Sequence, residues 1–217
     1  IRNNAKPSFL GYRRFPASLC ISVNDEVVHG IPGKRVISEG DLVSVDCGVF
    51  MNGFHGDSAY SFTLKGVSVE AQNLCRTTMK CLNDAVSIAK PGARVGDISY
   101  TVQSIAESNG YGVVRELIGH GVGRNLHEKP DVPNYGKKGS GPVLKSGMVF
   151  AGEPMINAGK KNIVQHKDGW TISTSDLKPS AHFEHTIAIV DNGHDVLSSF
   201  NEIEEAIGSN NELMKIF

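Results

Sequence analysis

Four carboxylates and one imidazole, Asp46, Asp57, His120, Glu153 and Glu184, are spread along the chain in settings that could gather them around a cation. In Leu42-Val43-Ser44-Val45-Asp46-Cys47-Gly48-Val49-Phe50, a strand puts Val43, Val45, Cys47 and Val49 on one face. Asp46 falls on the other, between Ser44 and Gly48. Asp57 shares a face with Ala59, Ser61 and Thr63, while Tyr60, Phe62 and Leu64 point away. Glu184 lies opposite Phe183, Ile187 and Ile189, and Glu153 ends the run Met148-Val149-Phe150-Ala151-Gly152 beside Pro154. Each carboxylate thus has apolar packing behind it and open space in front. A lone acid on a strand is ordinarily a solvated edge charge. Four such segments in 217 residues argue against four independent surface charges. Oxygen donors with one imidazole suit Mn, Fe, Co or Zn rather than a thiolate site. Bridging carboxylates favour two ions, roughly 3.5–4 Å apart, sharing a water. Spacing alone therefore reaches a two-metal hydrolase of unspecified substrate.

The elements that must position these residues are legible in outline. Ile1 to Cys20 is polar and turn-rich, and Ile21 to His29 reads as a strand or hairpin edge. Met51-Asn52-Gly53-Phe54-His55-Gly56 is turn chemistry between two alternating segments, so Asp46 and Asp57 are expected on paired antiparallel strands. Leu74, Thr78, Leu82, Ala85 and Ala89 recur at helical spacing within Glu70 to Lys90, before Pro91-Gly92. A second helix is expected from about Val95, stopped by Asn109-Gly110. Strands near Gly112 to Leu117, Met148 to Ile156 and His182 to Val190 then echo the first half, so an internal pseudo-duplication is expected. Residues 203–217 read as a short terminal helix or a frayed tail.

Composition narrows the function classes. A net charge of −1, with Lys and Arg dispersed, disfavours nucleic acid and anionic membrane as partners. No apolar run approaches the roughly 20 residues needed to span a bilayer. Four sparse cysteines, with Cys75 and Cys81 six apart on a helix and so not facing each other, point to reduced thiols and a cytosolic compartment. The chain opens on Ile1 rather than Met, so an N-terminal extension, with any targeting signal, is expected to be missing.

In Gly119-His120-Gly121-Val122-Gly123-Arg124-Asn125-Leu126-His127, three glycines surround the first histidine, permitting close backbone approach and excluding a regular helix. A structural histidine has no need of such surroundings. His127 and His29, the latter before Gly30-Ile31-Pro32, are ambiguous on their own. Taken together, His29-Gly30-Ile31-Pro32, the Asp46 and Asp57 strands, Gly119-His120-Gly121-Val122-Gly123, Glu153-Pro154-Met155, Lys167-Asp168-Gly169-Trp170 and Phe183-Glu184-His185-Thr186 resemble the ordered motifs of type I methionine aminopeptidases, from about Gly11 to Val196. Only 30 residues separate Glu153 from Glu184, leaving no room for the helical insertion of the type II enzymes.

The resemblance implies one catalytic metallopeptidase domain over 1–217. Its fold would be α/β of the α+β type: the pita-bread fold, a pseudo-two-fold curved antiparallel sheet backed by helices. It implies two divalent ions (Co, Mn, Fe or Zn) on Asp46, Asp57, His120, Glu153 and Glu184, with Asp57 and Glu184 bridging. Water activated there attacks the first peptide bond of a chain that begins with methionine. Glu153 carries the proton to the leaving amine, while His127 and His29 hold the scissile peptide. Tyr12, Phe15, Cys20, Leu126 and Trp170 join His29 and His127 in binding substrate. Partners implied are N-terminal Met peptides and nascent chains, with the ribosome where these emerge, and the enzyme is expected to be a cytoplasmic monomer. Leu126 stands where the family often has Phe, Arg13 where it often has His, and Gly48 where Thr is frequent. Ala151-Gly152 likewise departs from a Thr and a larger aliphatic. The competing readings are an X-Pro aminopeptidase or prolidase and a non-catalytic pita-bread binding module.

Overall fold

A computed structural model describes residues 4–216; the two ends of the expected domain, residues 1–3 and 217, lie outside the described residues. Every strand pairing described is antiparallel. In the first half, a four-stranded sheet runs in the order Leu213–Met214, Ala59–Leu64, Leu42–Asp46, Cys20–Val23. In the second, a five-stranded sheet runs Glu128–Val132, Gly119–Gly121, Val149–Gly152, His185–Val190, Gly193–Val196. Three smaller three-stranded sheets complete the framework.

The register explains the small residues around the first two acids. Asp46 pairs with Ala59 and Ser44 with Ser61, so these four side chains share one face, and the two serine hydroxyls lie 2.7 Å apart. Cys20 stands opposite Asp46 on the outer strand. The Asp46 strand is shorter than expected: it ends at Asp46, and Val49–Met51 is a separate strand pairing with Lys6–Pro7 and Phe54–Gly56. Gly48 sits in that break. Any side chain there would run into the Phe9 ring, so the volume a Thr would fill is taken by Phe9.

The two halves meet at one seam. Asp57 N–H donates to Thr186 Oγ1 (2.9 Å), whose hydroxyl donates back to the Asp57 carbonyl (2.7 Å). Ala59 and Glu184 form a β-bridge, with Glu184 N donating to the Ala59 carbonyl at 2.9 Å. Ser61 Oγ accepts from His182 N (2.9 Å) and donates to its carbonyl (2.8 Å). Asp57 and Glu184 therefore enter the centre of the molecule on facing strands, one from each half.

Helix α1 (Val69–Ser87) starts at Ser68, whose hydroxyl accepts from Ala71 N, and α2 (Val95–Ser108) starts where the Asp97 carboxylate accepts from Arg94 N. Both helices form where the apolar spacing predicts them. Leu74, Cys75, Leu82, Ile98 and Val102 bury their shared face against Phe150, Ile156, Phe183 and Ile187. The segment read as a short helix or frayed tail does form a short helix, and it docks. Helix α3 (Asn201–Ser209) is followed by Leu213–Met214, which adds an edge strand to the first sheet, and Ile207 and Ile216 enter the main core. All four cysteines are free thiols. Among the described residues no helix is long and apolar enough to cross a membrane.

Candidate active site

Each acid sits where a strand stops rather than along its length. Asp46 closes its strand, Asp57 precedes Ala59–Leu64, Glu153 falls between Val149–Gly152 and Met155–Asn157, and Glu184 between Ser180–His182 and His185–Val190. A break of this kind frees the side chain from the regular pleat and turns it inward. His120 is carried by the central strand Gly119–Gly121. Carbonyls of Ala151 and Lys129 lie where side chains at 119 and 121 would have to go, so the glycines are there for close backbone approach.

These breaks converge. Asp57, His120 and Glu184 are buried and each presents a ligand atom within 4.8 Å of the others. Glu153 Oε1 is 3.6 Å from His120 Nε2. The Nδ1–H of His120 donates to the Gly121 carbonyl at 2.9 Å, which leaves the Nε2 lone pair facing the acids. Asp46 Oδ1 is enclosed and has no hydrogen-bond partner. All twelve residues singled out in the sequence line one cavity of about 150 Å³. A separate groove of about 1130 Å³ touches only Asp57 among the five candidate ligands, so the larger space is not where the chemistry gathers.

The electrostatics favour a cation. Burial pushes Asp57 up to about 7 and holds Asp46, Glu153 and Glu184 well above the usual carboxylate range; the charge of Asp57 raises all three further. Four clustered acids, Asp57 and Glu184 buried and Asp46 and Glu153 half-buried, with an orphaned oxygen and an imidazole lone pair among them fit divalent ions, the donor set being oxygen with one nitrogen. Burial pushes the Cys20 thiol up, reinforced by Asp46, Asp57 and Glu184, so it packs as a neutral thiol and not as a thiolate ligand. His29 and His120 are pushed down by burial. His127 falls to about 4, by burial first and then by His120, Arg13 and His29. All three imidazoles are neutral at pH 7.

Aromatic rings wall the cavity. Phe9, Phe15, Cys20 and Leu126 form a buried cluster, with Tyr12 and Trp170 packed on it. His127 stacks on Tyr12 at 5.2 Å and lies 4.0 Å from the His120 ring, whereas His29 meets the edge of Trp170 at 6.3 Å. Trp170 is fixed by the Lys167-Asp168-Gly169 turn, in which Asp168 accepts from Trp170 N and Thr171 N. At the rim, Arg13 holds a left-handed backbone (φ 45°) with its guanidinium 5.5 Å over the Tyr12 ring. His29 is also left-handed, at φ 60°, an uncommon conformation for a residue other than glycine. Leu126 is buried at 3% exposure and packs with Phe9, and both line the cavity.

A sequence model of metallopeptidase family M24 matches residues 2–191. The chain belongs to this family. Among M24 relatives, methionine aminopeptidase 1 of Bacillus subtilis is 48% identical over 197 residues, covering 91% of this chain and 79% of that protein. The Escherichia coli K12 methionine aminopeptidase is 43% identical, covering 90% and 74%. The crystal structure of the Thermotoga maritima methionine aminopeptidase superposes with a TM-score of 0.88 at 46% identity, over 89% of this chain and 78% of that one. A Pyrococcus horikoshii prolidase at 24% identity, covering 83% of this chain and 47% of that one, shares the fold alone, with a TM-score of 0.67. The expected pita-bread architecture is thus the architecture of this M24 chain.

Two residues near the acids were not singled out in the sequence. Phe9 lay in a stretch read as turns. His182 is 2% exposed, and burial drives its pKa down to about 3. Its Nε2 lies 3.7 Å from Glu153 Oε2 and has no hydrogen-bond partner. Its position two before Glu184, on the same strand face, was the available signal.

Proposed function

We propose that this chain is a metal-dependent methionine aminopeptidase that removes the first residue of peptides and nascent proteins beginning with methionine. The observation that carries the reading is the convergence of five ligand candidates, two further histidines and an aromatic wall on one small cavity. At about 150 Å³ the cavity falls below the roughly 300–1,000 Å³ of drug-sized ligand pockets, and so admits one side chain and the bond beside it.

Asp46, Asp57, His120, Glu153 and Glu184 would hold two divalent ions of the Co, Mn, Fe or Zn kind. Bound there, they supply Lewis acidity and lower the pKa of water. The unbranched thioether of the substrate lies against Tyr12, Phe15, Cys20, Leu126 and Trp170, a soft wall suited to a polarizable chain. His29 and His127, neutral and at the cavity wall, hydrogen-bond the scissile peptide and the oxyanion that forms from its carbonyl. Glu153 takes the proton of the attacking water and delivers it to the departing amine. Positioned proton transfer of this type contributes roughly 10²–10⁴ in rate. N-terminal Met peptides are the substrates and the cytoplasm is the compartment that this reading assigns.

The test is hydrolysis of Met-Ala-Ser beside Ala-Pro-Ala, after chelation and re-addition of single divalent metals. Met-Ala-Ser is expected to be cleaved and Ala-Pro-Ala spared. Preference for Ala-Pro-Ala would make the chain an X-Pro peptidase, and no cleavage together with no bound metal would make it a binding module. A second expectation divides the histidines. Alanine at His29 or His127 should lower kcat by roughly 10²-fold while bound metal, measured by elemental analysis, stays near the parent value. His120→Ala should lose metal and activity together. Loss of a full metal equivalent on replacing His127 would reverse the assignment.

A further inference from the structure

Glu153 is flanked on both oxygens by imidazole nitrogens, and only one of those is a candidate ligand. On one side Oε1 faces the His120 Nε2 lone pair at 3.6 Å, within the cluster that Asp57 and Glu184 complete. On the other side Oε2 faces His182 Nε2 at 3.7 Å, too far for a direct hydrogen bond, and that nitrogen has no partner although it is fully enclosed. An unpartnered buried imidazole nitrogen is costly, so it calls for a function. The main chain holds His182 in place. Its backbone is clamped on both sides by the Ser61 hydroxyl, and its strand pairs with Met155, two residues beyond Glu153.

We propose that His182 is a positioning residue for Glu153, its Nε2–H donating to Oε2 and turning Oε1 toward His120 and the cation. Closing 3.7 Å to an ordinary length of about 2.9 Å needs only about 0.8 Å of travel, which rotation of the Glu153 carboxylate supplies. Hydrogen bonding, not ligation, fits the placement, because His182 lies on the oxygen away from the Asp57–His120–Glu184 cluster and does not line the cavity. A carboxylate held this way keeps one rotamer for binding metal and for carrying the proton. Without the bond, it rotates between poses that do neither well.

The inference rests on Glu153 being a ligand and proton carrier. The experiment compares His182→Gln, whose amide N–H reaches about as far as the imidazole, with His182→Leu, which has no donor. Cobalt(II) titrated calorimetrically into the chelator-stripped chain reads metal affinity, and kcat and KM on Met-Ala-Ser are measured on the same preparations. His182→Leu is expected to weaken metal binding and lower kcat by roughly 10–100-fold each, with KM within about twofold and stoichiometry unchanged. His182→Gln should recover both to within about threefold. Parent affinity and kcat in the Leu variant, equal impairment of Gln and Leu, or loss of a whole metal equivalent would each overturn the proposal. If the Leu variant does not fold by thermal melting, His182→Asn, one methylene too short, replaces it in the comparison. There, impairment of Asn but not Gln supports the proposal, and equal behaviour of the two overturns it. Glu153→Gln with parent kcat would instead remove the reading of Glu153 itself, whatever the His182 variants do.

Discussion

Asp57→Asn is expected to lower kcat by roughly 10³-fold or more, as loss of a group acting directly on the reaction does, and at the same time to make the metal-stripped chain more stable at pH 7.5. The two effects share one cause. Asn keeps the volume of Asp57, leaves its backbone bonds to Thr186 untouched, and retains a side-chain oxygen for the Ser58 N–H. What it removes is a buried negative charge that raises the pKa of Asp46, Glu153 and Glu184. The ion loses an anionic ligand, while the empty site loses part of its self-repulsion. Steady-state kinetics under saturating metal and thermal melts in chelator read the two sides separately. Full turnover, or an apo form less stable than the parent, would contradict the assignment of Asp57 to the metal centre.

The second large effect is pH-dependent. After chelation, stability should fall as pH rises from about 6.5 to 8, and the stabilisation conferred by metal should grow over the same interval. A carboxylate whose pKa is raised on folding is protonated in the native chain while ionised in the unfolded one. Between the two values the native state carries more protons, so stability drops with rising pH. For Asp57 the interval runs from 3.8 to about 7. The part of it above pH 6.5 amounts to under about 1 kcal/mol at about 1.4 kcal/mol per pH unit, or about 2–4 °C in Tm for a chain of this size. Asp46, Glu153 and Glu184, held well above the usual carboxylate range, extend the fall. The imidazoles act in the opposite sense, His182 and His185 from buried positions and His127 from an exposed one. His127 and His185 at about 4 and His182 at about 3 are neutral in the native chain and charged in the unfolded chain at acid pH. They favour the native state as pH rises toward 6.5 and contribute little change beyond it. Melting curves at pH 6.5 and 8, with and without chelator, test this. A metal-induced rise in Tm that is the same at both would show that the acids do not share the metal site.

Residue alternation made the acids legible, because a strand announces both of its faces at once. Asp46 and Asp57 were placed on paired strands by the period of two and the Asn52-Gly53 turn, and both helices followed from spacing and stop signals. Alternation could not show that each acid sits at a strand break, since the breaks at Glu153 and Glu184 are made by pairing partners distant in sequence. His182 was overlooked because, beside Phe183 and Glu184, it reads as one more alternating residue; its place two before Glu184 gives its face, and its orphaned nitrogen shows only in the structure. Phe9 has no periodic context. The strand Leu213–Met214 is two residues long, too short for any pattern, and is fixed by Thr63 and Leu64 across the sheet. The convergence of the acids was therefore readable in the sequence, and the packing around them was not.

The seam between the halves has a consequence for how the protein is made. Its hydrogen bonds join positions 121–129 residues apart. A growing chain exposes Asp46 and Asp57 long before His120, Glu153 and Glu184 exist. At about 5–20 residues per second, the wait between Asp57 and Glu184 is on the order of ten seconds. During that time the two early acids have only their own sheet, Leu42–Asp46 between Ala59–Leu64 and Cys20–Val23, and lack the strands that carry the other three candidate ligands. The five candidate ligands can therefore come together only after synthesis has passed Glu184, when His182–Thr186 is available to pair with Asp57–Ser61.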